Sequence, residues 1–235
     1  MRLGTMAAAG AMALALAACG CRAPGYPKAE YVPPDQVTDF TTLYNTNCRA
    51  CHGPNGQNGP AMDLANPEYE ALVDDATLRG IIANGMPGTQ MPAWAQSAGG
   101  MLTDAQVDAL VAGMRKEWAK PNAFQGATPP PFAAAANEKG DVQSGQKLYQ
   151  AQCASCHQGP ARQQVTSPVY LALMSGQALR SIIVAGRPDI GQPDWRHDGG
   201  RPLTPQNVTD IVAYLGSLRN PDAVSAAPPQ IPPRR

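Results

Sequence analysis

Residues 48–52 read CRACH and residues 153–157 read CASCH. Together they hold four of the chain's six cysteines and two of its three histidines. Cys48 and Cys51, like Cys153 and Cys156, stand three positions apart, so on a helical turn both thiols of a pair share one face. His52 and His157 follow directly. Two thiols so spaced can add to the two vinyl groups of one porphyrin, with the adjacent imidazole as a nitrogen ligand to its iron; C-x-x-C-H is the attachment signature of haem c. Other uses of the cysteines fit less well. Zinc wants four thiolate or imidazole ligands, which only pooling of the two motifs would supply. A thioredoxin-like redox pair wants a βαβ setting, which is absent. Disulfides suit an exported chain but do not explain a histidine directly after each pair. The pattern predicts two covalent haem c groups, held by Cys48, Cys51, Cys153 and Cys156, with His52 and His157 on the iron.

The motifs belong to a longer repeat. At an offset of 101 residues Tyr69 meets Tyr170, Leu78-Arg79 meets Leu179-Arg180, Gly85 meets Gly186, Trp94 meets Trp195 and Leu102-Thr103 meets Leu203-Thr204. The Cys motifs, with Leu43-Tyr44 and Leu148-Tyr149, sit at an offset of 105. Two copies are too few for a solenoid, so they read as a tandem duplication. In each copy a polar helix (36–50, 141–155) runs into the motif. Two short helices follow (68–75 and 77–84; 169–175 and 177–185). Thr103 and Thr204 are suitable N-caps for a final amphipathic helix with apolar residues at 107, 110, 111 and 114, or at 208, 211, 212 and 215. No strand is expected, and the fold class is all-α.

Residues outside the repeat say where the chain goes. Arg2 and an apolar run from Met6 to Ala18 suit a secretory signal, being too short for a membrane span. Leu16-Ala17-Ala18-Cys19 resembles the lipobox of bacterial lipoproteins, which implies cleavage before Cys19, lipidation of its sulfur and attachment to a membrane on the exported, periplasmic or outer face. Cys21 is left over. The expected organisation is a signal peptide (1–18), a lipidated Pro-rich tether (19–35), unit one (36–120), a linker (121–140), unit two (141–220) and a Pro-rich tail (221–235). Net charge is zero, so no basic stripe marks a nucleic-acid partner. The first unit carries an acidic excess and the second a basic one, with Arg187, Arg196 and Arg201 in one loop. That split is compatible with two docking faces or with ordinary solvated surface. Only three Phe serve the whole chain, and units this small bury little apolar area unaided; a porphyrin would supply what is missing.

On the paired motifs, the Met-Pro loop and the lipobox, the chain resembles a di-haem c-type cytochrome: two tandem class I cytochrome c domains, over roughly residues 36–220, behind a bacterial lipoprotein signal. The resemblance implies that a Gly- and Pro-rich loop brings a Met sulfur to the far side of the iron. In residues 85–94, GMPGTQMPAW, that ligand is Met91, with Met86 the competitor. In the matching residues 186–195, GRPDIGQPDW, Gln192 replaces it. The second haem is then left with weak Gln192 ligation, water or an open face, or with His197 if the loop refolds; Met174 reads as core. His/Met ligation raises the potential, so the second haem is expected to be the lower one.

The implied function is a membrane-anchored carrier of single electrons in a respiratory-type chain, free or as a complex subunit, working with redox proteins. No catalytic constellation is visible. The alternative is a haem enzyme or gas-ligand sensor, peroxidase-like, using the second iron as an open site.

Overall fold

The structure, a computed structural model, describes residues 31–157, 165–196 and 202–224. The signal segment, Cys19, Cys21, His197, Arg201 and nearly all of the tether and tail lie outside the described residues. Those described contain helices and no strand beyond isolated bridges, as the periodicity requires.

Two series of five helices repeat. The first is α1 (Phe40–Asn47), α2 (Arg49–His52), α3 (Pro67–Leu72), α4 (Asp75–Asn84) and α5 (Asp104–Trp118). The second is α6 (Val142–Gln152), α7 (Ala154–His157), α8 (Pro168–Ala172), α9 (Gly176–Ala185) and α10 (Pro205–Ser217). The helix expected from residue 36 starts only at Phe40, because Asp39 caps it by accepting from the Thr42 amide at 2.8 Å. Asp141 does the same for α6 through Ser144 at 2.6 Å. The expected caps Thr103 and Thr204 each form a reciprocal capping box, with Gln106 and Asn207. Such boxes satisfy amides that would otherwise lack a partner.

α4 and α9 end at Gly85 (φ 70°) and Gly186 (φ 76°). A Cβ at either would lie 2.6 or 2.8 Å from the backbone of the loop that follows. Glycine is thus required twice over, by a conformation that L side chains avoid and by the close return of the loop.

Each series buries its own apolar stripe. Leu43, Tyr44, Tyr69, Leu78, Val107 and Leu110 centre one core, and Tyr149, Leu171, Leu179, Val208, Ile211 and Tyr214 the other. The cores are not sealed from each other: Ala185 of α9 belongs to the first, and Leu72 of α3 packs against both. From Asp35 onward the chain forms one compact unit.

Candidate functional site

α2 is a single turn, and it carries the first motif. The amides of Cys51 and His52 both return to the Cys48 carbonyl, at 3.2 and 3.0 Å. This places the two cysteines one turn apart with His52 beside them. Both thiols are free, Cys48 half-buried and Cys51 exposed. Burial, with Cys51 adding, pushes the Cys48 thiol up to about 12. α7 repeats the turn, with the Cys156 and His157 amides on the Cys153 carbonyl at 3.1 and 3.0 Å. Cys153 is pushed up to about 11 for the same reasons.

His52 is buried, and its Nδ1 lies 2.8 Å from the Met62 carbonyl oxygen. That acceptor fixes the tautomer with the proton on Nδ1 and leaves the lone pair of Nε2 open to a metal. Burial lowers the pKa; the Met62 hydrogen bond opposes this and the charge of Arg187 adds to it. The ring is therefore neutral, the form in which an imidazole can bind a metal.

The loops after α4 and α9 follow nearly the same path. Met86 N donates to Met91 O at 3.0 Å, and Arg187 N to Gln192 O at 2.9 Å. The Leu102 amide returns to Trp94 O and that of Leu203 to Trp195 O. Met86 and Met91 are both half-buried. Gln192 differs in chemistry as well as identity: its Nε2 donates to the Ile182 carbonyl near the end of α9, at 3.2 Å.

By charge alone the arginines of this loop are expected at a docking face or on solvated surface. The structure corrects that for two of them. Arg187, only 6% exposed, forks onto Asp189 (2.8 Å) and reaches the first unit, donating to the carbonyls of Ala61 (2.8 Å) and Gly59 (3.0 Å). Asp189 accepts from the Asn58 amide at 2.9 Å, and the Asp63 carboxyl lies against it. Asn66 Nδ2 donates to Ala185 O and Gly186 O, and Arg196 pairs with Glu68. The signal was visible in the repeat, since the positions matching Arg187 and Asp189 are Met86 and Gly88. The role of Met62 had no signal of its own.

A covalent porphyrin fits the residues present. Each motif offers two free thiols on one turn, and His52 keeps Nε2 available. The indole Nε1 of Trp195 is buried with no acceptor among the described residues, and the carboxylates of a porphyrin are acceptors of the kind it lacks. Among the described residues no three His, Cys, Asp or Glu side chains gather into another metal site.

Comparison with known proteins agrees with this chemistry. The family model described as cytochrome c oxidase, cbb3-type, subunit III matches twice, over residues 35–112 and 140–215. A dihydro-heme d1 dehydrogenase of Pseudomonas aeruginosa is 42% identical over 70 residues, 30% of this chain and 13% of that protein. The cbb3-type cytochrome c oxidase subunit CcoP of Azospirillum sp. is 24% identical over 185 residues, 72% of this chain and 51% of that one. The chain thus spans about half the length of one curated relative and much less of the other. Among solved structures, the dihydro-heme d1 dehydrogenase NirN in complex with DHE is 34% identical over 40% of this chain and 18% of its own, with a TM-score of 0.30. A chain of the Kuenenia stuttgartiensis reducing HAO-like protein complex is 17% identical over 83% of this chain and all of its own, with a TM-score of 0.47. Two matches of one family model, one on each cysteine motif, cover most of the chain: it belongs to the cbb3-type cytochrome c oxidase subunit III family and is a c-type cytochrome built of two tandem domains.

Proposed function

We propose that the chain is a di-haem electron carrier, anchored by a lipid on Cys19 to the exported face of a bacterial membrane and working with redox proteins or within a respiratory complex. The observation that carries this reading is the turn of two free thiols and an imidazole, repeated once in each unit. When bound, haem supplies a reversible one-electron change at iron. Cys48 and Cys51 hold one group and Cys153 and Cys156 the other. His52 and His157 are the proximal ligands. Met91 supplies the distal sulfur of the first site. The likeness to an oxidase subunit supports a redox partner.

The test begins with intact mass. Exported protein should exceed its apoprotein mass by two haem groups beyond any lipid, and a single haem, or haem extracted by acid acetone, contradicts the reading. Cys19→Ala should move the protein to the soluble fraction, whereas Cys21→Ala should not; a Cys19 variant that still pellets contradicts the anchor.

The replacement of Met91 by Gln192, whose Nε2 is turned to the Ile182 carbonyl, favours a second reading, in which the distal side of the second site lacks a sulfur and takes a small ligand. A reduced-minus-oxidised spectrum with and without CO separates the two. A carrier leaves both irons unchanged, and an enzyme or sensor binds CO at the second.

A further inference from the structure

Met62, whose carbonyl orients His52, lies in the irregular stretch between α2 and α3. Helical hydrogen bonding does not hold that stretch in place. Its own chain gives it a few anchors, the Ala61 amide on Cys51 O at 3.0 Å and the Leu64 amide on Gly56 O at 2.8 Å. The second unit adds three: the carbonyls on either side of Pro60, at Gly59 and Ala61, are both taken by the Arg187 fork, and the amide of Asn58 by Asp189. The Asp189 side chain is fully buried and that of Arg187 nearly so. A charge-assisted, bidentate pair of this kind has a narrow geometry, so the carbonyls it receives are fixed in place. The matching loop of the first unit, with Met86 and Gly88, has nothing that could make such a contact.

We infer that Arg187 and Asp189 are positioning residues for a histidine in the other unit: by clasping residues 58–61 they fix the Met62 carbonyl against Nδ1 of His52. The inference rests on the reading of His52 as an iron ligand. The acceptor on the second nitrogen of a ligating imidazole sets both its orientation and its basicity, and the basicity of an axial ligand is one of the levers on potential. The second unit thereby sets a property of the first.

The experiment uses full-length, haem-loaded protein and follows both haems by spectroelectrochemical titration. The first haem's wave is identified as the one that Met91→Ala displaces. The double variant Arg187→Ala/Asp189→Ala removes the clasp without altering net charge. It should displace the first wave upward, because a loosened Nδ1 bond makes the ring a weaker donor. The expected size is about tenfold in the reduced-to-oxidised ratio at fixed poise, roughly 59 mV for one electron. The second wave should move less. Arg187→Lys keeps the charge but not the fork; it should fall between wild type and the double variant, and it perturbs folding less. A first wave unmoved in both variants overturns the inference. Equal movement of both waves also overturns it, since that marks general loosening. Wild-type protein with no haem mass on the 48–52 peptide overturns the ligand reading and the clasp together, whereas haem present with an unmoved wave overturns the clasp alone.

Discussion

Gln192 and Arg115 are single side chains whose roles differ from what their types suggest. Gln192 stands where the first unit has Met91 and donates to its own helix. Because the two loops share their backbone path, Gln192→Met should place a sulfur where Met91 has one. The expected result is a second methionine–iron signature and a raised potential for the second haem. An unchanged spectrum would show that residue 192 does not face the iron. Arg115 looks like a surface charge near the end of an amphipathic helix. Instead it binds the Glu70 carboxylate at 2.8 Å, the Val73 carbonyl at 2.6 Å and Asp75 at 2.7 Å. The Glu70 side chain has no exposure to solvent. Removing one partner of a buried pair strands the other, at a cost of about 3–5 kcal/mol. Arg115→Ala should therefore destabilise by that order in chemical denaturation, and the added change Glu70→Gln should recover part of the loss.

Helix crossings show how the duplicated elements diverged in concert. In the first unit α1 and α5 cross with Phe40 against Gly113, where a Cβ would lie 2.2 Å from the phenyl ring. Phe40 also meets Trp118 edge-on, with ring centroids 5.4 Å apart. In the second unit the matching helices α6 and α10 have the sizes reversed. Gly145 stands at the Phe40 position and Tyr214 at the Gly113 position, and a Cβ on Gly145 would lie 1.9 Å from the Asp210 carbonyl. Each crossing has one aromatic residue and one glycine, contributed by opposite partners. Overpacking such a contact costs about 1–3 kcal/mol or more, and removing the half-buried Phe40 costs less than the roughly 3–5 kcal/mol of a fully buried Phe. Phe40→Gly and Gly113→Tyr should each destabilise the first unit, yet the double variant should recover stability beyond the sum of the singles, because the two positions share one contact. Strict additivity in denaturant melts would refute that coupling.

At the scale of the whole chain, the units are joined by titratable side chains as well as by the apolar contacts of Ala185 and Leu72. Asp63 is buried, and burial first, then the carboxylate of Asp189, push its pKa up to about 6, while Arg187 opposes the shift. A carboxyl raised in the folded state binds a proton that the unfolded chain releases near 4. Stability from this group therefore falls as pH rises through the window from about 4 to about 6. Asp189, held below the usual range chiefly by Arg187, acts in the opposite sense, and its share is lost only as pH falls further. Asp63→Asn should accordingly raise Tm at pH 7.5, and the gain should fade as pH drops through 6; a gain independent of pH would contradict the assignment. Much of this molecule was legible beforehand. The haem motifs, the helical class, the Thr103 and Thr204 caps and the equivalence of the two loops all depend on residues near one another in sequence. What was not legible depends on residues far apart in the chain: Met62 as an acceptor is a backbone atom with no side-chain signature, and Arg187, Asp189 and Arg115 have partners that composition cannot reveal. The reversed crossings also bear on how a tandem repeat folds without error. If α1 paired with α10, Phe40 would meet Tyr214, two rings in a space built for one. If α6 paired with α5, Gly145 would meet Gly113 and leave a void. Exchanged helices are a characteristic failure of duplicated chains, and here one wrong pairing is too large for its contact and the other too small, so a newly made chain is steered towards joining each helix with the partner from its own copy.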